Sequence, residues 1–114
     1  MKNKALFAFI FFIAISRFGY SQITVIPDPN FEQALIDLGI DSWGLLNGFI
    51  TKTEAESVTE LHISGRSITD LTGIEAFVNL EILAANSNEL TSLDLSSNIL
   101  LYSLTCVQNR ITTL

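Results

Sequence analysis

Cysteine, histidine, proline and basic side chains are all scarce in this 114-residue chain, which has one cysteine, one histidine, two prolines and six lysines or arginines. Each scarcity excludes something. A single cysteine, Cys106, closes no internal disulfide, so stability has to come from packing. Six basic residues against twelve acidic ones leave no basic footprint for nucleic acid. An acidic surface also disfavours adsorption to anionic membranes. No Asn-x-Ser/Thr sequon, phosphate loop, zinc-ligand spacing or nucleophile elbow occurs. The length allows at most one small domain.

What is present divides unevenly. The first 21 residues hold Lys2, Lys4 and Arg17, five of the eight phenylalanines and no acid. Lys2 and Lys4 precede an unbroken apolar run from Ala5 to Ile15, the pattern of a secretory signal. That run rises only about 16 Å as a helix, roughly half the hydrocarbon thickness of a bilayer. Gly19 and Ser21 place small residues two apart, so cleavage is expected between Ser21 and Gln22. No cysteine follows the run closely, which argues against lipidation. The remainder, three basic against twelve acidic residues, carries a net charge of −9. No other stretch approaches membrane length, so no span is expected after signal removal.

From Ile23 the chain opens on a short β-branched run that stops at Pro27. Asp28 and Pro29 then have the chemistry of an N-cap and a first helical position. Phe31, Leu35 and Leu38 recur at helical spacing with Ala34 beside them, Glu32, Gln33 and Asp37 are free to face water, and Gly39 suits the helix end. Residues 41 to 53 read as a loop punctuated by Gly44 and Gly48. Its Trp43, Leu45, Leu46, Phe49 and Ile50 are expected to fold onto a core. Thr53 and Glu56 have the spacing of a capping box.

From Val58 onward a template recurs. Val58-x-x-Leu61-x-Ile63-x-x-Arg66-x-Ile68-x-x-Leu71 returns with its first residue at Leu80 and again at Leu101, at offsets of 22 and then 21 residues. All six positions keep those offsets. Positions such as Leu61 and Ile63 alternate with polar neighbours as a short strand does, and stacked copies make a parallel sheet. Asn88 and Asn109 fall where each strand turns, and an asparagine there satisfies backbone groups that a tight coil otherwise buries unpaired. Arg66 occupies that position in the first copy and is expected to mark the edge repeat, where no preceding asparagine has to be met. Residues 72 to 77 suit a short helical turn on the return side, whereas 93 to 98 look more irregular.

Residues 58 to 114 resemble the leucine-rich repeat family, and Ile68-Thr69-Asp70-Leu71-Thr72-Gly73-Ile74 looks like its internalin-type subclass. The stretch from Ile26 to Ile36 is similar to the helical N-terminal cap of secreted bacterial members. The resemblance implies an α/β solenoid, with parallel strands on one face, short helical turns or loops on the other, and a helical N-terminal cap. The expected organisation is a signal peptide (1–21), the cap (22–57) and repeats at 58–79, 80–100 and 101–114, the last incomplete. It further implies an extracellular or cell-surface role in recognition or adhesion, with a protein or glycan as partner. Cap loops of the family commonly carry an Asp-x-Asp-Gly turn; Asp41-Ser42-Trp43-Gly44 here lacks one of its carboxylates.

The outward strand positions, Glu60, His62, Ser64, Ile82, Ala84, Asn86, Ser103, Thr105 and Val107, form the candidate binding face. Three rungs offer far less than the roughly 800 Å² per partner of a standard interface. Glu60, His62 and Ser64 point the same way, but alternate strand positions lie about 7 Å apart, beyond the reach a nucleophile and its base require. A surface histidine is the simpler reading. Asp41, Glu54, Glu56 and Glu60 lack the spacing of a calcium loop and read as a solvated acidic face. Cys106 sits at an inward repeat position as a small apolar group, and Trp43 is expected to plug the cap against the first repeat. No catalytic residue, metal site or cofactor is assigned, and an enzyme is not expected. The alternative is a purely structural cap with first repeats of a longer protein whose activity lies downstream. Leu114 falls inside a repeat with no polar capping segment after it, which favours a truncated chain because an uncapped solenoid end exposes its core.

Overall fold

The computed structural model describes residues 22–113; the expected signal peptide and Leu114 lie outside them. In chain order come β1 (Ile23–Val25), α1 (Pro29–Asp37), β2 (Phe49–Thr51), α2 (Lys52–Glu56), β3 (Glu60–His62), a 3-10 turn (Ile74–Ala76), β4 (Ile82–Ala84) and β5 (Ser103–Thr105). β1 and β2 pair antiparallel, while β3, β4 and β5 form a parallel sheet. The pairing Leu61 to Leu83 to Leu104 reproduces the 22- and 21-residue offsets.

Helix α1 forms where local chemistry favours it. Asp28 Oδ1 accepts the Asn30 N–H at 2.8 Å and Pro29 takes the first helical position. Phe31, Ala34 and Leu35 are buried, and full burial of a Phe or Leu side chain stabilises by about 1.5–3 kcal/mol. The Phe31 ring lies 6.2 Å from that of Phe77, joining the helix to the return segment of the first coil. Leu38, expected on the apolar face, is exposed because it is the helix C-cap.

Three expectations for the N-terminal segment need correction. Glu32 does not face water: it is buried and accepts the N–H groups of Gly48 at 2.9 Å and Asn47 at 3.1 Å, tying the loop to α1. The expected loop of residues 41 to 53 contains a strand, β2, whose pairing to β1 depends on residues 24 to 28 positions upstream. Ile50 enters the core, but Leu45 and Leu46 stay in solvent and Trp43 is half-buried. Finally, the capping box belongs to Thr51 and Glu54, two residues before the expected pair, because α2 starts directly at the end of β2.

Asp41 is buried beside this loop anchor. Its Oδ1 accepts the Trp43 N–H at 3.2 Å, while Oδ2 has no donor. Burial, followed by the hydrogen bond and charge of neighbouring Glu32 and the charge of Glu54, pushes its pKa up to about 6 against the opposing pull of the Trp43 N–H. A proton on Asp41 relieves the cost of burying a second negative charge beside Glu32.

The coils are held by the expected asparagine column. Asn88 Oδ1 accepts the N–H groups of Arg66 at 2.9 Å and Ile68 at 3.1 Å from the coil before, and its Nδ2 donates to the carbonyls of Ile63 and Ala85. Asn109 repeats the pattern with Leu90 and Ala85. Gly65, Ser87 and Gln108, immediately before these turn positions, all adopt left-handed backbone, with φ of 69°, 56° and 58°. A second column was not expected. Asn98 is buried on the return side, where its Nδ2 donates to Ile74 and Phe77 carbonyls. It takes the place of Phe77, three residues before the next repeat begins, so a polar group replaces an aromatic one at a core position.

Arg66 has a use beyond marking the first repeat. Its guanidinium pairs with Asp37 at the end of α1, and Asn30 donates to the Ser67 carbonyl at 3.0 Å, so helix and first turn are tied together. Cys106 is half-buried and not enclosed, because Leu104 and Val107 next to it are exposed on the third coil.

Candidate binding face

The parallel register turns the nine outward residues into a grid of three rows. Glu60, Ile82 and Ser103 form one row, and His62, Ala84 and Thr105 the next. Ser64, Asn86 and Val107 form the third, linked by hydrogen bonds: Ser64 Oγ accepts the Asn86 N–H at 3.0 Å and Asn86 Oδ1 accepts the Val107 N–H at 2.9 Å. Asn86 Nδ2 also reaches Thr105 Oγ1 at 3.2 Å. The Asn86 amide is thus engaged within the sheet. Glu60, His62, Ser64, Thr105 and Val107 are exposed, and Ile82, Ala84, Asn86 and Ser103 are half-buried.

Glu60 and His62 overturn a sequence expectation. His62 Nε2 lies 3.5 Å from Glu60 Oε2, although their strand positions are two apart. The 7 Å estimate describes backbone spacing; two long side chains on a free face lean together across it. Ser64 is engaged sideways instead, its Oγ accepting the Asn86 N–H. The three residues therefore form a close carboxylate–imidazole couple next to a laddered hydroxyl, without the contact between nucleophile and base that catalysis by such a group needs.

One flank of the grid continues into a groove of about 620 Å³, where Leu38, Ile40 and Val58 meet Ser42, Glu54 and Glu60. Sequence reading missed this extension. Leu38 was assigned to the apolar face of the helix, and only the tertiary fold brings it and Ile40 to the side of Glu60 and His62. Among the described residues no group of three or more His, Cys, Asp or Glu side chains is arranged to hold a metal ion, and no helix is long and apolar enough to cross a membrane.

Parallel strands at a 21- to 22-residue repeat, asparagine-stitched turns and a return side of short turns define a solenoid-like leucine-rich repeat protein. The sequence matches no known family model and no curated protein. Solved structures are more informative. The functional domain of InlJ from Listeria monocytogenes, described as including a cysteine ladder, superposes with a TM-score of 0.66 at 30% identity over 82% of this chain and 23% of its own. An internalin, inlF, from the same organism gives 0.69 at 30% identity over 77% of this chain and 26% of its own. The structure of CBM51-2 in complex with GlcNAc and INT domains from Clostridium perfringens ZmpB gives 0.59 at 33% identity over 73% of this chain and 17% of its own. The fold is accordingly that of an internalin-like leucine-rich repeat protein. The chain spans about a quarter of the length of the two Listeria structures and less of the third.

Proposed function

We propose that this chain is a secreted or cell-surface recognition module that binds an extracellular protein or glycan noncovalently across the outer face of β3, β4 and β5. The observation that carries the reading is the grid itself. Glu60, His62, Ser64, Ile82, Ala84, Asn86, Ser103, Thr105 and Val107 share one solvent-facing surface with no element packed over it among the described residues. Glu60 and His62 supply the exposed polar contacts, and Ile82, Ala84 and Val107 supply apolar ones. Residues 22–57 serve as a helical N-terminal cap that shields the first coil, and residues 58–79, 80–100 and 101–114 are the repeats. Residues 1–21 serve as the export signal. The internalin neighbours support an adhesive role, and the Clostridium structure solved with GlcNAc adds glycans to the candidate partners. The work is binding, with no catalytic step and no cofactor.

A second reading has this segment purely structural, as cap and opening repeats of a longer protein whose activity lies elsewhere. The small share of each neighbour that the chain spans favours it. Binding of the 22–114 segment to an array of glycans and bacterial and host surface proteins tests the first reading. A retained ligand should lose at least tenfold in affinity on replacement of Glu60 and His62 by alanine, roughly 1.4 kcal/mol. An unchanged signal after replacement of Glu60, His62 and Asn86 together removes this face from consideration.

A further inference from the structure

The groove on the flank of the outer face is built from residues 38 to 62, at the junction of the N-terminal segment and the first coil. Leu38, Ile40 and Val58 give it an aliphatic wall, and Glu54 and Glu60 bring two carboxylates to that wall. No lysine or arginine lines it, and no phenylalanine, tyrosine or tryptophan ring does. The described residues hold three basic side chains, and each lies elsewhere. Arg66 is paired with Asp37, Lys52 lines a separate groove with Glu56 and Glu75, and Arg110 follows β5 on the third coil. The negative charge of the groove is therefore left without a cation.

Glu54 is held in place before any ligand arrives. Its Oε1 accepts the Thr51 hydroxyl at 2.7 Å and its Oε2 the Ser42 N–H at 2.8 Å. Both donors are neutral, so they orient the carboxylate without cancelling its charge. The buried Asp41, next to Ser42, registers that charge: burial and the neighbouring Glu32 come first in raising its pKa, and the charge of Glu54 adds to them. Glu60 is exposed, with His62 Nε2 at 3.5 Å. Carboxylates beside aliphatic carbon match a side chain with an apolar stem and a cationic head, because the stem covers Leu38 and Ile40 while the head meets oxygen. A guanidinium fits better than an ammonium, since it is more weakly hydrated and presents five N–H donors in a fixed plane. An anionic partner is repelled, and a sugar finds no aromatic face on which to stack.

We propose that this groove seats an arginine side chain of a protein partner, with the stem along Leu38 and Ile40 and the guanidinium at Glu54 and Glu60. The inference rests on the outer-face reading above and narrows its partner to a protein. Glu60 belongs to both surfaces, so a segment lying across β3, β4 and β5 reaches the groove without a break. Because Glu54 is already oriented, little ordering of the site is needed when the arginine enters.

The chain from Gln22 onward, whose buried residues between Ile26 and Leu93 form one cluster, is titrated with the capped peptide N-acetyl-Gly-Arg-Gly-amide while backbone amide shifts are followed. The peptide should shift the amides of Ile40, Ser42 and Thr59. The same peptide with citrulline, equal in shape but uncharged, should bind about fivefold more weakly, the upper range for an exposed ion pair. Glu60→Gln should remove most of that difference, whereas Glu89→Gln, an equal loss of charge at an exposed position outside the groove, should leave it. Leu38→Lys alters an exposed residue at a helix end where a cation is favourable, so folding survives, and the fixed charge should abolish the shifts. Equal affinity for the arginine and citrulline peptides, shifts confined to Ile82, Ala84 and Thr105, or a response untouched by Leu38→Lys overturns the proposal. A protein ligand that needs Ile82 and Thr105 but tolerates Leu38→Lys also overturns it and leaves the outer-face reading standing. Arginine-selective shifts in a chain whose array ligands ignore changes at Ile82 and Thr105 uphold the groove and remove the face.

Discussion

Asp28 and Thr69, forty-one positions apart, meet at a single carboxylate oxygen: Asp28 Oδ2 accepts the Thr69 backbone N–H at 2.8 Å and its hydroxyl at 3.1 Å. The same oxygen takes the Asp70 N–H at 3.0 Å, while Oδ1 caps helix α1. One side chain thus starts the helix and fastens it to the first coil. Burial works against its ionisation, but the donors from Thr69, Asn30 and Asp70 outweigh that and hold its pKa below the usual carboxylate value.

Replacement of Asp28 by alanine removes both functions. The loss of a cap costs about 1 kcal/mol, and the donors left behind raise the total to roughly 2–3 kcal/mol. Urea unfolding of the variant should show a lower midpoint with little change in slope. In the parent protein the Asp28 contribution is present above its unfolded pKa near 3.8 and is lost as pH falls through the depressed folded value, so acid should narrow the gap between the two.

Asp41 has the opposite sign. Its folded pKa, about 6, lies above the unfolded value of 3.8, so the folded state holds the extra proton between them. That contribution is complete below the unfolded pKa and disappears as pH rises through about 6. Asp41→Asn keeps an oxygen for the Trp43 N–H and supplies a permanent donor toward Glu32. It should raise stability at pH 7 by on the order of 1 kcal/mol, a figure discounted for solvent screening, and flatten the thermal midpoint between pH 4 and 7. A variant less stable than the parent at pH 7 would contradict this account.

Asn88→Leu should be among the most damaging single changes. It fills the space but strands the N–H groups of Arg66 and Ile68 and removes the Asn88 donor from the Ile63 carbonyl, while Ala85 keeps Asn109 as its donor. A cost of roughly 2–4 kcal/mol is expected from chemical denaturation. Amide exchange should quicken first at Arg66 and Ile68.

Gly73 admits no side chain. With φ at 107°, an added Cβ lies 2.3 Å from Ile26 Cδ1 and 2.8 Å from the Val25 carbonyl oxygen. Gly73→Ala combines backbone strain of order 1–3 kcal/mol with a clash against backbone, so it should destabilise by at least about 2 kcal/mol. Gly39→Ala, also left-handed but with open space around it, should cost less; the difference between the two midpoints isolates the clash.

The repeat was legible because a solenoid is nearly one-dimensional. Each coil contacts its neighbours at fixed offsets, so Leu61, Leu83 and Leu104 announce their stacking by spacing alone, and Asn88 announces its ladder by recurring as Asn109. The Asp28 cap was legible for a local reason, since its first partner is two residues away. Asn98 escaped notice because it breaks the column that Phe77 begins, and a polar residue in an irregular stretch reads as a loop residue. The face was readable as a set of alternate positions, but the Glu60–His62 approach was not, because side-chain reach on a free surface does not follow backbone spacing.

The sequence by itself determined the period, the three strand registers, the start of α1 and the outward nine positions, all consequences of local chemistry or of a repeat that copies one environment. Tertiary structure alone decided where the acidic groups went. Glu32 is sunk under the loop at Gly48, Asp41 is buried beside it with its pKa raised, Asp37 is drawn to Arg66 and Asp28 is turned toward Thr69. Apart from the cap that Asp28 makes, nothing local marks these contacts, because partners lie as many as 42 positions away and meet only once helix, loop and first coil share a core.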